Sequence, residues 1–180
     1  MSVFTNSASR SGEEAGDYTA AILGLLGALD PYDVLRATPD AVRRRLAGVS
    51  EGQLSAPETS GKWSMRQVVR HLADSDLVWG YRLRMVLAHD RPPLTGYDQD
   101  LWAERLGYDR ADVEQALQEL AILRRSNLGL LAAASDEDRQ RVGVHLERGE
   151  ESVEHMVRMY AGHDLLHLRQ LDRIRAAVTS

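Results

Sequence analysis

The sequence predicts a single all-α domain built as a four-helix bundle. Long stretches of the 180 residues repeat apolar side chains at steps of three and four, the period of an amphipathic helix. Only five prolines occur, and two of them, Pro92 and Pro93, are adjacent. Residues 142–146 are at most locally extended, and no convincing strand pair is visible. We expect four main helices with short extra helices in the connections.

The N-terminal part predicts a tail followed by a first helix. Residues 1–16 are small and polar, and we interpret them as a disordered tail before a domain at 17–180. Helical periodicity then runs to Pro31. The apolar positions are Ile22, Leu25, Leu26 and Leu29.

The next segment predicts a second helical stretch and a loop. Thr38 followed by Pro39 is typical of an N-cap with proline in the first turn, which predicts a helix from there to about residue 48. Residues 51–62 are rich in Gly, Ser and Pro. We therefore expect a loop there.

A long helix is predicted to begin at Ser64. Ser64 and Gln67 have the spacing of a capping box, in which each side chain bonds to the backbone N–H of the other residue. An apolar face continues to residue 89, and prolines and glycine at 90–97 interrupt it. A short amphipathic helix at 98–106 follows.

The C-terminal half predicts two further long helices. The first spans residues 109–134, with Asp109 as its expected N-cap. Residues 135–150 are polar and contain two glycines, which predicts a connection. The last helix is expected from about Ser152 to Val178.

Composition excludes several classes of function. There is no cysteine, so disulfides, thiolate nucleophiles and sulfur ligands to a metal are absent. Residues 1–15 show no targeting pattern, and the longest nearly apolar stretch, 20–29, is shorter than the roughly 20 residues that span a bilayer. The net charge is −5, and the arginines are scattered among acidic residues. We expect a cytoplasmic protein that binds neither membranes nor nucleic acid.

The segment GHDLLHLRQL, residues 162–171, contains the most informative pattern. His163 and His167 are spaced i, i+4, so both imidazoles leave one helix face a turn apart. Both lie within an otherwise apolar stripe. The stripe consists of Met156, Tyr160, His163, His167, Leu171, Ile174 and Val178.

Two imidazoles on a buried stripe need polar partners, because an unpaired buried polar group costs a few kcal/mol. One interpretation is a divalent metal bound by both rings; the other is a pair of histidines hydrogen-bonded to neighbouring helices. His71 is the best remaining donor, on the inner edge of the helix that begins at Ser64. Three histidines leave a coordination position open, as a catalytic metal site requires.

The other histidines are weaker candidates. His89 lies at a predicted helix end, where a cation meets the helix dipole. His155 falls off the stripe. His145 lies in the connection before the last helix, and we keep it as a candidate substrate-binding or gate residue.

Three segments resemble the DinB-like superfamily, and within it the YfiT-type metal-dependent hydrolases. They are KWSMRQVVRHLADSD (62–76), PPLTGYDQDLWAE (92–104) and GHDLLHLRQL (162–171), and the resemblance extends over residues 30–178. It implies an up-down-down-up bundle, a homodimer, and a metal triad at His71, His163 and His167. It also implies nickel, zinc or iron as the ion, and either hydrolysis or transfer of a low-molecular-weight thiol such as bacillithiol or mycothiol.

Candidates for acid–base chemistry come from the middle segment. There is no H-E-x-x-H glutamate, so a thermolysin-like site is excluded. Tyr97, Asp98 and Glu104 are our candidates, and Asp98 could orient the nucleophile or bind substrate. In the alternative, Asp98 caps the short helix while Tyr97 and Trp102 pack it onto the bundle.

Three neighbouring residues have less specific interpretations. Trp63 is typical of a packing anchor before a helix. Asp74 and Asp164 could orient the histidines, or could be surface or capping groups, which the pattern favours.

The sequence thus predicts a metal-dependent enzyme that acts on a small molecule, either a hydrolase or a thiol S-transferase. The rival interpretation is a non-catalytic helical binding or interaction domain with a vestigial or regulatory metal site. A di-iron bundle is disfavoured because the required carboxylates are missing.

Overall fold

The structure, a computed structural model, describes residues 12–179. The helices are α1 Gly12–Leu26, α2 Pro31–Leu46, α3 Glu51–Ser55, α4 Met65–Ala88, α5 Gln99–Arg105, α6 Val113–Ala133, α7 Asp136–Gln140 and α8 Val153–Val178. The strands are β1 Pro93–Leu94, β2 Val142–His145 and β3 Gly149–Ser152, and a 3-10 turn lies at Tyr108–Arg110. Most of the predicted tail, residues 1–11, lies outside the described residues, and its last part belongs to α1.

Helices α2, α4, α6 and α8 form a four-helix bundle, which confirms the predicted fold class. Residues later in α4 contact residues later in α6. Arg70 pairs with Glu119, and farther along both helices Arg84 donates a hydrogen bond to Ser126. These two helices are therefore parallel. The chain must return along the bundle between them, and β1, α5 and the 3-10 turn lie in that return.

The remaining contacts complete the up-down-down-up order. His71 of α4 meets His163 of α8, whereas Arg82, three turns later, reaches back to Tyr160, so α4 and α8 are antiparallel. Helix α2 pairs with α8 through Arg45 and Asp172. Helix α1 packs on the outside of α8.

The bundle core consists of two apolar clusters, one toward each end. One contains Val68, Leu72, Leu117, Leu120, Leu171 and Ile174, among others. The other contains Leu26, Leu35, Trp79, Leu83, Leu131, Met156 and Val157, among others. Charged and polar side chains occupy the layer between them.

Arg124 of α6 is the centre of that polar layer. Its guanidinium pairs with Asp76 of α4 and Asp164 of α8 at 2.6 Å each, and it donates to the backbone carbonyl of Leu35 in α2 at 2.7 Å. Arg124 and both carboxylates are 1–2% exposed. Burial is the largest influence on the pKa of Asp76 and raises it, while the Arg124 charge opposes that effect. One side chain therefore links all four bundle helices.

Helix α2 corrects the predicted helix start at Thr38. The N-cap is Asp30, whose carboxylate accepts from the Tyr32 and Asp33 amides, and the helix continues through Pro39. Thr38 is inside it, donating its hydroxyl to the Val34 carbonyl. Proline at this position deprives the Leu35 carbonyl of its helical partner. Arg124 satisfies that carbonyl, so the proline is tolerated.

Of the other predicted helix caps, helix starts and loops, some are confirmed and others are wrong. The capping box at Ser64 and Gln67 is present, and α8 begins at Val153, one residue after the expected start at Ser152, which is its N-cap. The predicted loop at 51–62 contains α3, whose own capping box joins Ser50 and Gln53. Helix α6 is capped by Asp112, not by Asp109, because Asp109 lies in the 3-10 turn.

A small sheet appears where no strand pair was expected. Strand β2 pairs in parallel with β1 and antiparallel with β3. At Gly143 a Cβ would lie 2.8 Å from Leu94 and Val86, so glycine lets β2 approach α4 closely. The burial of polar residues such as His145 and Glu151 conceals the usual apolar alternation of strands.

Gly162 allows α1 to approach α8 next to His163. A Cβ there would lie 2.4 Å from the backbone oxygen of Ile22. Glycine is therefore required for this packing. Among the described helices, none combines the length and the apolar character needed to cross a membrane.

Replacing Arg124 with methionine is expected to lower the free energy of unfolding by about 3–5 kcal/mol, because two buried carboxylates lose their counter-charge. Urea denaturation followed by circular dichroism measures the change. The matched control is Arg125→Met, at the exposed neighbouring position, with an expected effect within about 0.5 kcal/mol. Equal stability of the two variants would contradict the role given to Arg124.

Candidate metal centre

The three predicted histidines converge at the polar layer. The antiparallel contact of α4 and α8 directs His71 toward His163 and His167, which lie one turn apart on α8. Nε2 of His163 is 3.1 Å from Nε2 of His71 and 3.1 Å from Nε2 of His167. His71 and His167 are buried, and His163 is partly exposed. The trio could hold a metal ion.

Hydrogen bonds among the three imidazole rings cannot satisfy all of the Nε2 atoms that meet there. A ring nitrogen offers either one N–H or one lone pair, so Nε2 of His163 can form a good bond to only one of its two neighbours. His167 Nδ1 lies 2.8 Å from the amide oxygen of Gln170. That oxygen can only accept, so the proton is on Nδ1 and the lone pair on Nε2. A cation accepts all three lone pairs at once.

Electrostatics keep the three rings neutral. Burial lowers the pKa of His71 and of His163 well below the usual range, and the neighbouring histidines lower both further. Burial likewise lowers the pKa of His167 to about 4, although the Gln170 bond and the Asp164 charge oppose it. Neutral imidazole is the form that binds metal ions.

The side chains of Ser75 and Trp63, both neutral, contact His71. The Ser75 hydroxyl lies 3.3 Å from Nε2 of His71 and 3.0 Å from the Tyr97 hydroxyl. The Trp63 ring packs on His71 with centroids 5.0 Å apart and also contacts Tyr108. Trp63 therefore has the packing role that its position predicted, and it shields His71 from water.

The structure separates the predicted acid–base candidates. Tyr97 reaches the triad through Ser75. Asp98 instead caps α5, where its carboxylate accepts from the Asp100 and Leu101 amides at 3.0 Å. Tyr97 also packs on Trp102, so the capping and packing arrangement considered for this segment is present. Glu104 is exposed on α5.

Asp74 and Asp164 are buried, which corrects the expectation of surface or capping groups. Among the described residues, neither carboxylate is hydrogen-bonded to a histidine. Asp74 pairs with Arg70 and accepts from Tyr108, while Asp164 pairs with Arg124. Both carboxylates attach neighbouring elements to α4 or α8, which holds the histidine-bearing helices in place.

The remaining histidines lie outside the triad, and His145 lies in β2 where the sequence predicted a loop. His89 is the C-cap of α4, and the His155 backbone amide bonds the Ser152 side chain at the start of α8. His145 is buried and lines a cavity of about 80 Å³ next to the triad. His71, His163, Ser75 and Tyr97 line the same cavity.

Sequence reasoning missed three residues of this region. Ser75 follows His71 by four positions and Gln170 follows His167 by three, so helical spacing could have revealed both. Arg82 also lines the cavity, eleven residues after His71. Its role depends on contacts with the loop before α5 and with α8, which no local pattern indicates.

Comparisons with known proteins agree with this architecture. The DinB superfamily pattern matches residues 35–171. An Oceanobacillus iheyensis protein named "Putative metal-dependent hydrolase" is 30% identical over 133 residues, 74% of this chain and 77% of its own. A Bacillus cereus protein of the same name is 28% identical over 137 residues, 76% of this chain and 79% of its own.

A solved structure shares the fold. It is YfiT from Bacillus subtilis, described as "a probable metal-dependent hydrolase with an unusual four-helix bundle topology". The TM-score is 0.75 at 24% identity, over 94% of this chain and 90% of YfiT. The predicted resemblance is confirmed: this chain belongs to the DinB superfamily.

Proposed function

We propose that this chain is a metal-dependent hydrolase of a small substrate, with one divalent ion bound by His71, His163 and His167. The observation that carries the proposal is the convergence of three buried or half-buried Nε2 atoms, two of the separations being 3.1 Å. The relatives named as metal-dependent hydrolases support the reaction class. The cavity beside His71 and His163 supplies the space for substrate.

The donor set fits nickel, zinc or iron. Imidazole nitrogen suits these ions, whereas calcium and magnesium prefer oxygen. Two nitrogens bound to one zinc ion at about 2.0–2.1 Å stand roughly 2.8–3.4 Å apart for bond angles between a right angle and a tetrahedral one. The two Nε2–Nε2 separations of 3.1 Å lie within this interval.

The side chains beside the triad orient or shield its histidines and offer hydrogen-bond donors to a substrate. When bound, the ion lowers the pKa of a coordinated water or thiol and so supplies the nucleophile. Gln170 orients His167, and Trp63 shields His71. Burial raises the pKa of the Tyr97 hydroxyl, so Tyr97 is protonated at neutral pH and can donate a hydrogen bond to a substrate oxygen.

Asp98 takes a positioning role in this proposal. Its carboxylate caps α5 one residue after Tyr97 and thereby orders the segment that places the Tyr97 hydroxyl near Ser75. The earlier expectation that Asp98 orients the nucleophile has no contact in the structure to support it.

One observation favours a second reaction, transfer of a low-molecular-weight thiol. Among the described residues, the hydrogen bonds of the three histidine rings, Ser75 and Tyr97 go to one another and to Gln170, and none of them joins a carboxylate. Hydrolysis benefits from a general base, whereas a thiol bound to a metal loses its proton without one. The thiol, a homodimer and a cytoplasmic location stay predictions, as does the non-catalytic binding domain as the rival class.

Replacing His167 with alanine is expected to abolish stoichiometric binding of nickel or zinc while the helical fold persists, because one of three ligands is lost. Metal content by mass spectrometry, with circular dichroism for folding, measures both. His155→Ala, on α8 but outside the triad, is the control and is expected to keep its metal. Unchanged metal content in the His167 variant would refute the site.

The bound metal is expected to remain in place as the pH is lowered from 7 to about 5. Protons compete with the metal only near the pKa of the ligands, and burial places the pKa of His167 at about 4 and lowers those of His71 and His163. Dialysis at stepped pH followed by metal analysis tests this expectation. Loss near pH 6.5 from a protein still folded by circular dichroism would contradict it.

The metal-loaded protein is expected to hydrolyse small activated esters or amides, and chelation is expected to abolish the turnover. The same assay, repeated with an electrophile and a low-molecular-weight thiol, separates the two reactions. Turnover that requires thiol assigns the protein as an S-transferase. No turnover of either kind by a protein that holds its metal would favour the non-catalytic binding domain.

A further inference from the structure

Besides Nδ1 of His71 and of His163, the side chains that line the cavity next to the triad contain two buried nitrogens with no hydrogen-bond partner among the described residues. They are Nε of Arg82 and Nε2 of His145. Arg82 projects from α4 and His145 from β2, and both line the cavity with His71 and His163. Unsatisfied buried donors are rare in proteins, and each one calls for an explanation.

Arg82 is a buried cation without a carboxylate partner among the described residues. It is 6% exposed. Its bonds go to neutral oxygens, the Thr95 carbonyl and, at 3.5 Å, the Tyr160 hydroxyl. Guanidinium has five N–H donors, so several remain available after these two bonds. A buried charge is normally paired, because desolvation of an unpaired ion is costly.

The tautomer of His145 is determined by its neighbour. Nδ1 of His145 accepts from the backbone N–H of Glu147 at 3.2 Å, so that nitrogen carries the lone pair. Burial, with the Arg148 and Arg82 charges, lowers the pKa of His145 to about 4. The ring is therefore neutral at pH 7, and its proton is on Nε2. His145 is 2% exposed, and this N–H lacks an acceptor.

The carboxylates of the cavity wall form no direct ion pair with Arg82 among the described residues, although the Arg82 charge helps to lower the pKa of Glu151. Arg148 and Glu151 pair with each other through two contacts. Glu147 is partly exposed and lies beside Gly96, and no ion pair joins it to Arg82 among the described residues. Within residues 12–179, the guanidinium of Arg82 thus has no carboxylate in direct contact, whereas Arg148 has Glu151.

We propose that Arg82 and His145 form a subsite for a carboxylate group of the substrate, in the cavity wall beside the three-histidine site. A carboxylate supplies the negative charge and the acceptor oxygens that the two side chains lack. Its identification as part of the substrate rests on the proposed function, whereas the carboxylate binding itself does not. The protein accordingly prefers small carboxylic acid derivatives over neutral molecules of the same size.

Propionate and propionamide are matched probes for this subsite, since they share shape and differ in charge. We expect propionate to shift the ¹⁵N resonance of His145 Nε2 in a saturable way, and propionamide at the same concentration to leave it unchanged. The full chain is titrated with nickel bound and again without metal. We expect the preference for propionate over propionamide both with nickel bound and without metal, because Arg82 and His145 are not among the proposed metal ligands.

Variants then assign the binding to Arg82. Arg82→Gln is expected to weaken propionate binding at least tenfold, and Arg82→Lys to restore part of it through its charge. Arg84→Gln is the control, since Arg84 lies on the exposed side of the same helix. Should Arg82→Gln fail to fold, Arg82→Lys and the two probes on the unmutated chain still decide the question.

Three results would overturn the subsite. They are equal binding of propionate and propionamide, wild-type affinity in the folded Arg82→Gln variant, and a preference that disappears when the metal is removed. In the last case the metal itself would hold the carboxylate. If the chain binds no metal at all, the proposed function fails, while the metal-free titration still reports on the subsite.

Discussion

The charge of Arg124 is satisfied by groups from every other helix of the bundle, and the position of the histidines depends on this. Asp76 of α4, Asp164 of α8 and the Leu35 carbonyl of α2 all bond one guanidinium from α6. Asp164 is next to His163, and Asp76 lies five residues after His71. Because a buried ion pair tolerates little displacement, the axial register of α4 against α8 is constrained. The Nε2 atoms meet as a result.

The apolar clusters on either side of the polar layer supply the environment of the site. Their side chains exclude water from the layer, so the cost of charging an imidazole there is high, and the pKa of His167 drops to about 4. The same exclusion strengthens the attraction between Arg124 and its carboxylates. One desolvated layer therefore holds a structural ion pair network and three neutral rings that can bind a metal.

The cavity lies directly beside this centre. His163 and His71 form one part of its wall, and the loop before α5 and the β2–β3 hairpin complete it with Tyr97 and His145. The loop exists because α4 and α6 are parallel, which obliges the chain to return along the bundle. In the DinB superfamily fold of this chain, the long connections thus supply part of the cavity wall while the helices supply the three histidines.

The sequence by itself determined what short-range interactions encode. The capping boxes, the helix periods and the i, i+4 histidine pair involve residues a few positions apart, so the long helices and the pair of His163 and His167 could be predicted from local patterns. His71 was predicted as the best remaining donor on a facing helix and from the resemblance of its segment to the DinB-like superfamily. Only the tertiary structure decided that Pro39 lies inside a helix, that Asp164 is buried, and that Arg82 donates to the Thr95 carbonyl. Each depends on a partner 13 to 89 positions away in the chain. Such partners are chosen by packing, because their contribution appears only when the helices exclude water together.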